Sequence, residues 1–120
     1  NNTRRVEGRA ADLVGMPVAN VEGLQLVSYT NGQSFDVHHD IGPIDDACEH
    51  VVQVVPPRRI VTLFDYLNDQ PAGVGHTEFP LIGLSVQPRR GSALLFCNVH
   101  ARDPSVPDDA VIHCAKVSIS

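Results

Sequence analysis

The segment Phe35-Asp36-Val37-His38-His39-Asp40 sets an imidazole and a carboxylate two positions apart. In an extended strand, side chains at i and i+2 point to the same face, so His38 and Asp40 project together and His39 projects to the other side. Such a pair supplies two of the three protein ligands of a 2-His-1-carboxylate facial triad. That donor set leaves coordination positions of Fe(II) open for oxygen and a chelating cosubstrate. The third ligand must arrive from a distant strand. Of the remaining histidines, His113 lies mid-strand between Ile112 and Cys114 and is the first candidate; His100, at a strand end beside a loop, is the second. His39 and His50 read as solvated, and His76 as a turn residue that is solvated or locally hydrogen-bonded. The triplet does not decide the matter alone, because a chain with 6 His and 14 acidic residues can produce H-x-D by chance.

The elements that must position these groups read as one helix followed by short strands. Residues Thr3 to Val14 form an amphipathic helix with Val6, Ala10, Leu13 and Val14 on one face, Thr3 as N-cap, and Gly15 and Pro17 as stops. After Pro17 the texture turns to β. Leu24 to Thr30 reads as a strand, Asn31-Gly32 as a hairpin turn, and Gln33 to Asp40 as the return. Further strands are expected over Arg59 to Leu67, Leu81 to Val86, Gly91 to Val99 and Ala110 to Ile119. Asn68 to Gly75 reads as a turn region and Arg102 to Asp108 as a proline-broken loop. Ile41 to Pro57 is irregular and leaves directly from the H-x-D strand, as a lid over a substrate would; the alternative is a merely disordered loop. This succession predicts an antiparallel sandwich or barrel and leaves an immunoglobulin-like sandwich and a jelly roll equally open.

The bulk numbers narrow the function. At 120 residues one domain is expected, with room for a small core. A formal net charge of -5 and the lack of a basic face argue against a nucleic-acid partner. The count of three cysteines allows at most one bridge; Cys97 and Cys114 read as small buried hydrophobes in strands, and no C-x-x-C pattern points to zinc. No apolar run is long enough to cross a bilayer and no signal peptide opens the chain. Since the chain starts without Met and inside a helix, it is expected to be a piece of a longer product. Either the cytoplasm or the lumen of the endoplasmic reticulum then suits this single domain over residues 1–120, truncated at both ends.

Five motifs in order resemble those of the prolyl 4-hydroxylase family of Fe(II)- and 2-oxoglutarate-dependent dioxygenases. They are Tyr29-x-x-Gly32-Gln33-x-Phe35-x-x-His38-x-Asp40, the strand from Arg59 through Thr62 and Tyr66 to Asn68, the turn Gly75-His76-Thr77-Glu78-Phe79-Pro80, the run Val86-x-Pro88-x-x-Gly91-x-Ala93-Leu94-Leu95-Phe96-x-Asn98, and His113 as the distal histidine. The resemblance spans nearly the whole chain. It implies a mainly β double-stranded β-helix (jelly roll) with a flanking N-terminal helix. It implies that His38, Asp40 and His113 bind Fe(II) as the metal and catalytic set. It also implies that Tyr29 approaches the cosubstrate near the metal, that Thr77 bonds the far carboxylate of 2-oxoglutarate, and that Tyr66 points into the same region. The activity implied is hydroxylation of peptidyl proline in a peptide or protein, consuming O2 and 2-oxoglutarate, releasing succinate and CO2, with ascorbate as reductant. Val74 and His76 depart from the family's Gly and Glu in a turn that should tolerate both. The family's lysine for the 2-oxoglutarate tail is expected beyond Ser120; Lys116 is an odd number of residues from His113 and should face the other way. Two rivals are a cupin-like jelly roll with another metal, and a non-catalytic module binding a peptide or small molecule.

Overall fold

The computed structural model describes residues 1–30 and 32–116. Its one α-helix, α1 (Asn2–Val14), starts one residue earlier than its sequence pattern predicts. Asn1 is the N-cap, its Oδ1 accepting from the backbone N–H of Thr3 at 3.0 Å and from the Thr3 hydroxyl at 2.7 Å. Gly15 closes the helix in the left-handed conformation, which a glycine adopts without a Cβ penalty. Of the helix side chains only Ala11 is buried.

Among the described residues six strands follow: β1 (Phe35–His38), β2 (Val61–Asp65), β3 (Thr77–Phe79), β4 (Leu84–Val86), β5 (Ala93–Cys97) and β6 (His113–Ala115). All pairings are antiparallel. One sheet has the order β1-β6-β3-β4 and the other pairs β2 with β5. The mainly β expectation with a flanking helix therefore holds.

Several boundaries differ from the sequence reading. Leu24 to Thr30 has no regular secondary structure and joins no ladder among the described residues, and Leu24, Leu26, Val27 and Tyr29 are exposed. A strand exists only where another chain segment takes up its hydrogen bonds, which composition cannot show. The Asn31-Gly32 turn falls partly outside the described residues. Thr77 to Phe79, read as a turn, is a strand because β4 and β6 flank it on both sides. The single strand expected over Ala110 to Ile119 divides into a 3₁₀ turn (Asp109–Val111) capped by the Asp108 carboxylate, then β6; its last residues lie outside those described.

The core lies under the two sheets. Ile41 and Ile112 are the largest fully buried apolar side chains. One directly follows Asp40 and the other directly precedes His113, so the best-packed points of the fold flank the chemistry-bearing residues in sequence. Phe79, Val99, Tyr66, Cys114 and Ala11 of the helix are the other buried apolar side chains among the described residues. Cys97 is exposed, against expectation: along β5, Leu94 and Phe96 turn inward, and alternation sends Cys97 out with Ala93 and Leu95. The loop from Ile41 to Pro57 is tied down, with Val52 N–H bonded to the Pro43 carbonyl and Val55 N–H to that of Ile41. Only glycine fits at Gly42, since a Cβ there would lie 1.8 Å from the Gln53 carbonyl oxygen.

A candidate metal centre between two strands

β1 and β6 lie side by side with His38 and His113 as direct Cα partners. Their rings stand 4.3 Å apart between centroids. Asp40, just past the end of β1, sets Oδ1 3.3 Å from Nε2 of His38 and 3.4 Å from Nε2 of His113. One donor atom from each of the three side chains lies within 4.8 Å of the others. Among the described residues, no other group of three His, Cys, Asp or Glu side chains meets that condition. The structure thus brings together the three residues singled out from sequence. His100, the alternative third member, is exposed in the segment after β5 and is not part of this group.

Both imidazoles are held in one tautomer. Nδ1–H of His38 donates to the Asp36 carbonyl at 2.7 Å, and Nδ1–H of His113 donates to the Val111 carbonyl at 2.8 Å. Each Nε2 is thereby left facing the centre, the arrangement that outer hydrogen bonds impose on metal-binding histidines. Phe79 and Phe96 pack beside His113 with centroids 5.5 and 5.2 Å away and keep water from it.

The carboxylate is oriented from the other sheet. Thr62 on β2 donates its hydroxyl to Oδ2 of Asp40 at 2.7 Å, which reserves Oδ1 for the imidazoles. The Thr62 oxygen in turn accepts from Nδ2 of Asn98 at 2.8 Å, and Asn98 is fully buried. The Asn98 Nδ2 group also donates to the Arg59 carbonyl at 3.1 Å. Arg59 clasps Glu22 with two bonds of 2.7 and 3.1 Å. Sequence reading assigned Thr62 and Asn98 no role, although both stood in motifs; a polar residue inside an apolar strand was the available signal.

Charge follows from this geometry. Burial pushes the Asp40 carboxyl up, but hydrogen bonds from His38 and Thr62 and the nearby imidazoles outweigh it and carry the pKa down to about 2. Burial also works against a charge on His38, yet its bonds to Asp40 and the Asp36 carbonyl raise it above the ordinary value. For His113, burial prevails and lowers it. A permanent carboxylate between two imidazoles with outward-bonded Nδ1 is a donor set for a divalent cation.

The other residues expected at the site divide. Tyr66, buried just past β2, and Thr77 on β3 share a hydrogen bond of 2.5 Å between their hydroxyls. Thr77 stands opposite Ala115, two residues beyond His113 on β6, and therefore shares the face of His113. Burial raises the Tyr66 phenol, with the Thr77 bond opposing, so it stays protonated. Tyr29 sits in the irregular segment before β1, 38% exposed, and no hydrogen bond among the described residues joins it to the cluster. Lys116 turns away, its Nζ 3.7 Å from Glu78. His76, half-buried, meets Glu78 at 3.3 Å. His39 is not solvated as expected but 5% exposed, and His50 is exposed and paired with Asp109 at 3.0 Å.

Comparison with known proteins yields consistent relatives. No family model matches the chain. Prolyl 4-hydroxylase subunit alpha-1 of Gallus gallus is 35% identical over 95 residues, covering 79% of this chain and 18% of that subunit. Its Homo sapiens counterpart is 34% identical over 97 residues, 81% of this chain and 18% of the subunit. Probable prolyl 4-hydroxylase 6 of Arabidopsis thaliana is 32% identical, with 86% of this chain and 40% of that protein aligned. The chain thus spans less than half the length of these relatives. In fold it resembles the viral collagen prolyl hydroxylase of Paramecium Bursaria Chlorella virus-1, solved as a 2OG complex, with a TM-score of 0.61 and 24% identity over 77% of this chain and 48% of that one.

Proposed function

Because the chain belongs to the prolyl 4-hydroxylase family, we propose that it carries the iron centre of an Fe(II)- and 2-oxoglutarate-dependent dioxygenase acting on proline in peptides. The observation that carries this reading is the meeting of His38, Asp40 and His113, with donor atoms within 4.8 Å. Two imidazole Nε2 atoms and one carboxylate oxygen fit a ferrous ion and leave positions for other ligands. So held, the metal supplies the oxidation of an unactivated C–H bond by O2, coupled to conversion of 2-oxoglutarate to succinate and CO2.

The chain's own residues do the arranging. The Asp36 and Val111 carbonyls fix the imidazole planes, and Thr62 fixes the carboxylate. In this reading Thr77 and Tyr66 present paired hydroxyls to the far carboxylate of 2-oxoglutarate, and Tyr29 closes toward the cosubstrate. Lys116 is paired with Glu78 and does not supply the cation for that carboxylate. The two antiparallel sheets are read as the two leaves of a double-stranded β-helix, with the centre at its mouth. Ascorbate serves as reductant.

The test is turnover of a panel of proline-containing peptides with iron, 2-oxoglutarate and ascorbate, following succinate and hydroxyproline together. Succinate formation that depends on iron and on a proline peptide is expected. Metal-dependent chemistry without any need for 2-oxoglutarate would replace this reading with a cupin-like one.

A further inference from the structure

His39 stands between two of the proposed ligands, yet its ring goes the other way, into the protein, where it is 5% exposed. Its Nδ1 accepts from the backbone N–H of Ile41 at 3.1 Å. Its Nε2 lies 2.9 Å from the carbonyl oxygen of Asp108, 69 positions further along the chain. A carbonyl can only accept and an amide N–H can only donate, so both contacts are satisfied by a single tautomer, with the proton on Nε2.

Asp108 is a junction. Its N–H donates to the Asn98 carbonyl at 2.9 Å, and its Oδ1 accepts from Ala110 N–H at 3.1 Å. That second bond starts the 3₁₀ turn whose residue Val111 offers the carbonyl gripping His113. Asn98 holds Thr62, and Thr62 holds Asp40. The bonds therefore close a ring from Asp40 through Thr62, Asn98, Asp108 and His39 back along the backbone to Asp40. Cutting it at His39 frees the segment bearing His38 and Asp40 to slide against the segment bearing His113.

We propose that His39 is a positioning residue that locks the two ligand-bearing segments in register through its bond to the Asp108 carbonyl. The inference rests on the metal reading above. Its content is separate, because a satisfied core histidine would stabilise the fold and leave the metal geometry alone.

Two substitutions dissect the contacts. In His39→Asn the side-chain oxygen sits where Nδ1 was and keeps the Ile41 bond, but the side chain is too short for Asp108. In His39→Gln the amide nitrogen reaches the Nε2 position and keeps the Asp108 bond. Co(II) is titrated into the full chain without oxygen, and the visible absorption band is followed alongside thermal unfolding. His39→Asn is expected to weaken Co(II) about 10-fold, the lower end for loss of an outer partner, and to change the band; His39→Gln is expected to restore both. A His39→Asn variant that loses only thermal stability overturns the role, and a His39→Gln variant as weak as His39→Asn overturns its assignment to Asp108. A wild-type chain that takes up no Co(II) sinks the metal reading instead. Should neither variant fold, ¹⁵N shifts of His39 in the wild type decide. An Nε2–H tautomer that responds to Zn(II) supports the role, and an Nδ1–H tautomer or an indifferent ring overturns it.

Discussion

Thr62 lies on the smaller sheet and Asp40 just past the end of β1 of the larger one, and the 2.7 Å hydrogen bond between them makes the smaller sheet the orienter of that carboxylate. Thr62→Val removes the hydroxyl at nearly constant volume. It leaves Oδ2 of Asp40 without its donor and Nδ2 of Asn98 with only the Arg59 carbonyl. The expected cost is about 1–3 kcal/mol of stability and about 10-fold in metal affinity. Denaturant melts of the metal-free chain measure the first, and competition against a chelator measures the second.

Removing the carboxylate charge should separate binding from folding. A divalent ion that binds only the folded chain raises stability by about 2.7 kcal/mol at 100 times its dissociation constant. In Asp40→Asn and His113→Ala that metal-dependent rise in Tm should vanish while the metal-free chain still melts cooperatively. An undiminished rise in either variant would place the ion elsewhere.

The hydroxyl pair should matter to the cosubstrate and not to the ion. Tyr66→Phe and Thr77→Val each remove one end of the 2.5 Å bond. Each is expected to raise KM for 2-oxoglutarate several-fold, about 1 kcal/mol of binding, with metal affinity unchanged. Succinate release as a function of 2-oxoglutarate concentration, paired with a metal titration, reads the two apart.

The loop after Asp40 should loosen at both ends of the pH scale. Asp109 holds it by accepting from Val51 N–H at 2.8 Å and from His50 at 3.0 Å. Burial raises the Asp109 carboxyl, but the Val51 and His50 bonds prevail and lower it below 3.8; its contribution is complete above that value and is lost as pH falls through the lowered one. The Asp109 bond raises His50 above 6.5, so its contribution is complete below 6.5 and is lost as pH rises through the raised value. Amide-exchange protection of Val51 should be greatest between those limits. Asp109→Ala should abolish the dependence and, if the loop covers the peptide, raise peptide KM without altering metal affinity.

The cluster of His38, Asp40 and His113 was legible because an i, i+2 pair in an extended segment declares its common face locally, and His113 stood out as an imidazole amid apolar neighbours. The fold class was legible from one helix followed by turn-punctuated β texture. The residues missed are those whose meaning is set by distant partners. Thr77 to Phe79 became a strand because β4 and β6 lie against it, and Leu24 to Thr30, with Val27, Tyr29 and Thr30 as β-formers, found no partner among the described residues. His39 looked solvated because alternation puts it opposite His38, and nothing local reveals that the opposite face is also covered. Thr62 and Asn98 acquire their function from contacts across sheets, which no local pattern encodes.

In the larger sheet, β6 lies between β1 and β3. Neither of those earlier strands has the other as a neighbour, so each waits for a segment made later. Long-range pairing of this kind is slow, since chain closure precedes any reward from contact. While the chain grows from β1 towards β6, the edges of β1 and β3 stand open and invite wrong association. Arrival of β6 seals both edges in one step and sets His113 opposite His38. Assembly of the sheet and birth of the site are therefore the same event, and a half-made chain has neither.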